Sequence, residues 1–257
     1  MERALASWNS REFSDIYPYL FGTEISLYQF NKSDLVLLIT LGINENGVSE
    51  ILGYSLSKHI HKKEAYLTYL GNLMDQGIRS PLLLTGPDGS EFTESVMEVF
   101  RRSDLQHCVR QKIYSSVKTV EDTDIDLFKD GLENVFRQKD IGCFLKEMSQ
   151  FRMQWKSKYI DITESLEENM TFLMTFFKYP DSIHPYIKSS SLLRSTVRQL
   201  LVKISEEPDS LQDLDQLLTS LCIARNRILM NHPLQAFQKS SEQSAMLIKE
   251  KYHSILA

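Results

Sequence analysis

Leu35-Val36-Leu37-Leu38-Ile39-Thr40-Leu41-Gly42, the turn Asn44-Glu45-Asn46-Gly47, and the return Val48-Ser49-Glu50-Ile51-Leu52-Gly53-Tyr54-Ser55-Leu56-Ser57 together set the fold. The first run is apolar without alternation, the mark of a strand buried on both faces. Asn46-Gly47 is the strongest short hairpin signal, so the chain turns back as a second strand. Upstream, residues 17–30 are rich in aromatic and β-branched side chains and read as a third strand. Residues 17–57 are therefore expected to form a three-stranded antiparallel meander.

Downstream, the period changes. Residues 62–76 carry apolar side chains at helical steps (Ala65, Leu70, Leu73) and end at Gly77, a helix stop. Residues 81–85 read as a short buried strand, 91–102 as a helix with Phe92, Val96, Val99 and Phe100 inward, and 105–109 as a further strand. Strand, helix, strand implies parallel pairing through helical crossovers. The second half is helical throughout, with helices expected at 125–137, 141–159, 162–178, 189–204 and 211–229. In the last of these, Leu211, Leu214, Leu218, Leu221 and Ile228 make one stripe, and Asp209 or Ser210 is placed to cap it. Residues 231–257 are polar, with a terminal helix expected at 244–255. The aromatic residues Phe144, Phe151, Trp155, Phe172, Phe176 and Phe177 read as core.

Charge limits the partners. With 29 Lys and Arg against 34 Asp and Glu, the net charge is -5, which argues against strong autonomous binding to duplex DNA. No apolar run approaches the roughly 20 residues needed to span a bilayer, so no membrane partner is expected. Residues 1–8 lack the apolar core of a secretory signal, and a cytoplasmic protein is expected. Cys108, Cys143 and Cys222 are odd in number and far apart, and read as buried free thiols rather than disulfide or zinc ligands. His59-Ile60-His61 has no nearby acid pair and reads as a solvated junction; Gly86-Pro87-Asp88-Gly89-Ser90 lacks the Lys-Ser/Thr of a phosphate loop and reads as a turn.

A series of short segments then carries a resemblance. Ala6-Ser7-Trp8-Asn9-Ser10-Arg11 precedes Tyr17-Pro18-Tyr19-Leu20-Phe21; Leu41 to Gly47 and Glu50-Ile51-Leu52-Gly53-Tyr54 follow. Then come Glu64-Ala65-Tyr66, Phe100 with Gln106 and Cys108, Trp155 with Lys158-Tyr159, and Glu167-Glu168-Asn169. Phe176-Phe177-Lys178-Tyr179-Pro180, Lys188-Ser189-Ser190-Ser191-Leu192-Leu193-Arg194 and Pro208 with Ser210-Leu211 complete the set. In order and spacing, over residues 6 to about 228, these segments resemble the mutator-type transposases of bacterial insertion sequences. The resemblance implies an α/β, RNase H-like mixed sheet with a large all-helical insertion and a helical C-terminal part. The expected division is 1–115 for the sheet half, 116–188 for the insertion and 189–257 for the closing helices.

Members of that family cut and join DNA ends with three carboxylates that hold two divalent cations, which only a cluster of negative oxygens will do. The resemblance places those acids at Gly22, Gly86 and Arg194, none of which is a carboxylate. No catalytic residue, bound metal or cofactor is therefore expected. Two displaced acids stand nearby: Glu24, on the same strand face as Gly22, and Asp88, in the turn after Gly86. An active alternative would use them with Mg²⁺. Glu206 and Glu207 lie beyond the helix carrying Arg194, whose guanidinium would repel divalent cations or neutralise Glu24 or Asp88. The resemblance also implies an N-terminal region that recognises transposon ends; Met1 lies only a few residues before the segment near residue 6, so that region, and with it sequence-specific DNA binding, is expected to be lacking. Partners expected are DNA, held weakly, a second copy, or an intact transposase met through the helical part.

Overall fold

A computed structural model describes residues 8, 10–27, 32–58, 62–79, 81–204, 208 and 210–253. Ala6, Ser7, Asn9, His59, His61, Glu206, Glu207 and Asp209 lie outside the described residues. The apolar run forms the middle of a strand whose two faces are both covered. Strand β1 (Tyr19–Leu27) pairs antiparallel with β2 (Lys32–Ile43), and β2 pairs antiparallel with β3 (Ser49–Lys58). Leu37, Ile39, Leu41 and Ile43 face one side, Leu38 the other, and all are buried. The hairpin turn is held by Asn44, whose Oδ1 accepts from the backbone N–H of Asn46 and Val48. Gly47 sits there at φ 75, the left-handed region that favours glycine.

After α1 (Lys62–Asp75), β4 (Leu83–Gly86) enters parallel to β1. Helix α2 (Ser90–Val99) leads to β5 (Asp104–His107), parallel to β4. The five-stranded mixed sheet has the order β3-β2-β1-β4-β5. Helices α1 and α2 cover one face through Tyr66, Tyr69, Leu70, Phe92 and Val96.

Helices α3 (Val109–Val117), α4 (Ile125–Arg137), α5 (Ile141–Trp155), α6 (Ile160–Glu168) and α7 (Met170–Leu173) build a separate core. Phe128 is its centre, edge-to-face with Phe151 at 4.9 Å and Trp155 at 5.3 Å. Two 3₁₀ turns (Thr175–Lys178 and Asp181–Ile183) and α8 (His184–Ile187) return the chain to the sheet. The other sheet face is then closed by α9 (Ser191–Leu201), α10 (Leu211–Leu229), α11 (Gln235–Lys239) and α12 (Ser241–His253). Helix α10 locks the edge strand β3 with a side chain. The Asn226 amide accepts from Ile51 N–H (2.8 Å) and donates to Ile51 C=O (3.0 Å), as a neighbouring strand would.

The expected elements are present, with departures that have physical causes. Residues 141–159 break after Trp155 because the chain turns to bury the Tyr159 ring, whose hydroxyl donates to Asp124 (2.6 Å). Residues 162–178 break twice, at Asn169 and at Met174, and at the second break residues of β5 hold the chain. Gln106 accepts from Phe176 N–H (2.8 Å) and donates to Leu173 C=O (3.2 Å), and Thr175 Oγ1 donates to Leu105 C=O (2.8 Å). Helix α3 occupies the segment after Cys108 that the sequence left unassigned. The C-terminal stretch is more structured than its polarity suggests: Phe237 is buried, and Lys251 reaches Asp104 at 2.8 Å. Cys108 and Cys222 are buried as expected, but Cys143 is exposed near the start of α5. Among the described residues no helix is long and apolar enough to cross a membrane.

Candidate functional site: a filled glycine pair and an arginine cleft

The parallel register Tyr19↔Leu83, Leu20↔Leu84 and Phe21↔Thr85 brings Gly22 and Gly86 side by side at the end of β4. Both open toward α2, and the same ring covers both. A Cβ on Gly22 would lie 3.3 Å from the Phe92 ring, and one on Gly86 would lie 2.2 Å from it. Phe92 is buried and meets Tyr66 edge-to-face at 5.3 Å, so it has little freedom to swing away. The gap left beside Gly22, bounded by Leu84, Tyr66 and Phe92, is about 10 Å³. That is the lower limit for a single water molecule.

Each displaced acid already has a cation. Glu24 accepts from Lys62 Nζ (2.8 Å) and from the Tyr66 hydroxyl (2.5 Å). Burial, and then that bond to Glu24, push the Tyr66 phenol well above its ordinary range. Asp88 pairs with Lys112 Nζ at 3.2 Å, and Lys112 also donates to Ser165 Oγ (2.8 Å). The Lys112 ammonium is almost fully buried, so Asp88 is its compensating charge. Among the described residues no three His, Cys, Asp or Glu side chains form a group suited to a metal ion.

Beside Gly86 in the β4–β5 register stands His107, which the sequence reading passed over between Gln106 and Cys108. Its Nε2 lies 3.0 Å from Thr93 Oγ1, and its ring stacks on Phe172 at 4.6 Å. Burial pushes its pKa down to about 4, against the pull of Asp88. The only sequence signal for it was a polar residue at the inner end of a short buried strand.

Arg194 belongs to a different space. Helix α9 is pinned across the sheet at its N-terminus: Ser190 Oγ donates to Gly22 C=O (3.2 Å), and Ser190 N–H reaches Cys108 Sγ (3.3 Å). Just before it, Thr85 Oγ1 donates to Ile187 C=O (2.7 Å). Leu193 and Val197 enter the core on the α9–α12 face. Arg194 and Arg198 project outward into an open cleft of about 810 Å³, with Arg110, Ser195, Ile25 and Val202 among its walls. This cleft shares no lining residue with the gap over Gly22. Arg194 makes no ion pair with Glu24 or Asp88, because Lys62 and Lys112 hold those acids. The structure thus joins Gly22 with Gly86 and sets Arg194 on the far face of the sheet.

Comparison with known proteins agrees with the sequence resemblance. The family described as "Transposase, Mutator family" matches residues 1–201, and the chain belongs to that family. The transposase for insertion sequence element IS905 of Lactococcus lactis subsp. lactis (strain IL1403) is 24% identical over 198 residues, 76% of this chain and 50% of that protein. The transposase for ISRM3 of Rhizobium meliloti (strain 1021) is 24% identical over 199 residues, 75% of this chain and 49% of its own length. That for IS6120 of Mycolicibacterium smegmatis is 21% identical over 197 residues, 76% of this chain and 61% of its own length. The chain spans about half the length of the first two.

Proposed function

We propose that this chain carries the RNase H-like domain of the mutator transposase lineage in a form that no longer cuts or joins DNA with metal ions. The observation that carries the reading is Phe92: its ring stands where side chains of Gly22 and Gly86 would project. The donor set does not suit a pair of divalent cations. Two of the three inherited positions offer no side chain, the third is a guanidinium, and Glu24 and Asp88 are each neutralised by a lysine. The strand order, with three antiparallel strands followed by two parallel ones, supports the RNase H-like assignment. The separate core around Phe128 supports the division into 1–115, 116–188 and 189–257.

Incubation of the purified chain with supercoiled DNA and Mg²⁺ or Mn²⁺ tests the reading, with no nicking expected. Nicking that disappears in a Glu24→Gln/Asp88→Asn variant would overturn it in favour of an active enzyme using the displaced acids. A second reading, protein association through the helical unit, draws on Leu127, Leu145 and Met153, which are large, apolar and exposed on α4 and α5. Sedimentation equilibrium tests it, alone and with an intact transposase; a strict monomer in both runs counts against it.

A further inference from the structure

We propose that the groove between α3 and α4 binds a fatty acid, its carboxylate held by Arg137 and Lys188 and its acyl chain laid along Ile113, Val117 and Ile125. Every residue that lines this groove lies within the continuous stretch 81–204, and none is shared with the gap beside Gly22. The groove measures about 680 Å³. That is the size of a small-molecule site, where apolar walls bury the ligand and a few polar groups orient it.

The two ends of the groove differ. At one end the start of α3 and the end of α4 meet at Lys188, whose C=O accepts from Val109 N–H (3.0 Å) and whose ammonium donates to Phe136 C=O (2.9 Å). Arg137 follows Phe136 and lines the same groove. At the other end Val117 closes α3 and Ile125 opens α4, with Ile113 between the ends. These three side chains pack against the core around Phe128 but stay only partly buried, so each keeps apolar surface on the groove. A ligand charged at one end and apolar along its length matches both features, whereas a compact ion leaves the apolar wall unused.

The charges at the polar end repel one another. Burial, and then the charge of Arg137, lower the Lys188 pKa. Glu133 stands 3.9 Å from both Lys129 and Arg137, at the loose limit of an ion pair, and tempers Arg137 only weakly. A carboxylate set between Arg137 and Lys188 removes the repulsion and accepts from both cations. The Lys188 ammonium is already fixed by Phe136, so little freedom is lost on binding. From Val109 to Val117, α3 covers about 12 Å, the length of an extended acyl chain of roughly ten carbons. Lys188 leads into α9, so a bound acid ties α3 and α4 to the segment that returns to the sheet.

Calorimetric titration of the full chain with decanoate, below the concentration at which it forms micelles, tests the site. Affinity is expected to rise about 2- to 4-fold per added CH₂ from hexanoate to decanoate and to level off beyond dodecanoate, where the chain outruns Val117. Decanol and decyltrimethylammonium should bind about 10-fold more weakly than decanoate. Arg137→Gln and Lys188→Gln should each weaken decanoate about 10-fold and leave decanol unchanged, while Lys146→Ala, an exposed change on α5, alters neither. In the parent chain, decanoate at about a hundredfold excess over its Kd should raise the thermal midpoint by about 5 °C. No heat of binding and no rise in midpoint, equal affinity for decanol, or unchanged decanoate affinity in both glutamine variants overturns the proposal. A continued rise to tetradecanoate would show that the chain does not lie along α3. An acidic amphipathic peptide that binds where decanoate fails overturns the fatty acid in favour of a protein partner.

Discussion

The two sides of strand β1 have taken opposite courses. On the α2 side, Gly22 and Gly86 lie under the buried Phe92 ring, and the gap beside Gly22 is only about 10 Å³. On the α9 side, Arg194 lines an open cleft of about 810 Å³ with two other arginines. One region has been absorbed into the hydrophobic core, where every added atom is felt. The other remains surface, where charge costs little and ligands have access. Positions beside the core are enclosed by it, whereas positions beside solvent are free to carry charge.

The sharpest way to break this contrast is to put an acid back on the filled side. Gly86→Asp meets the Phe92 ring and buries an unpaired carboxylate, and is expected to cost about 4 kcal/mol in urea unfolding. Combined with Phe92→Ala, the loss should fall short of the sum of the single changes by more than about 1 kcal/mol, since the ring is the obstacle. Additive losses would mean that Phe92 does not fill the site. Next in size, Asp88→Asn leaves Lys112 buried without its counter-charge and should cost about 3 kcal/mol; adding Lys112→Met should recover most of it.

His107 gives a pH-dependent test of the same closed region. Its folded pKa, about 4, lies below the ordinary value near 6.5, so the unfolded chain takes up the proton first. The neutral ring is fully tolerated above pH 6.5, and stability is lost as pH falls from there toward 4. The expected loss is about 2 kcal/mol between pH 7.5 and 5, absent in His107→Phe, measured by urea midpoints at each pH. A flat profile in the parent chain would show that the region is wetter than it looks. Smallest of all, Arg194→Ala should change stability by less than about 0.5 kcal/mol, with a slight gain from relieving Arg198. A large loss there would end the distinction between the filled face and the open one.

Local signals made the elements legible. The alternation-free run at 35–42 and Asn46-Gly47 gave β2, its turn and β3, and the leucine stripe with Ser210 gave α10, whose cap accepts from Asp213 N–H at 3.1 Å. The breaks at Tyr159 and Met174 were not legible, because their causes lie on other elements: Asp124 draws Tyr159 inward, Gln106 takes the backbone of Leu173 and Phe176, and Leu105 C=O accepts from the Thr175 hydroxyl. The candidate site divides the same way. The absence of carboxylates at 22, 86 and 194 is plain in the residues. Phe92, by contrast, read only as an inward position of an amphipathic helix, and Lys62 and Lys112 gave no hint of the acids they hold.

By itself the sequence determined the family, the order of strands and helices, and the absence of carboxylates at 22, 86 and 194, because each is written in short-range pattern or in residue identity. Only the tertiary structure decided what stands in their place. It laid a phenylalanine ring from α2 over two glycines from two strands, gave each displaced acid a lysine, and turned Arg194 to the opposite face beside Arg110. Those outcomes depend on which side of a sheet a crossover helix packs, and on parallel register between segments some sixty residues apart. Both are fixed by burial of the whole apolar surface rather than by any local stretch of chain.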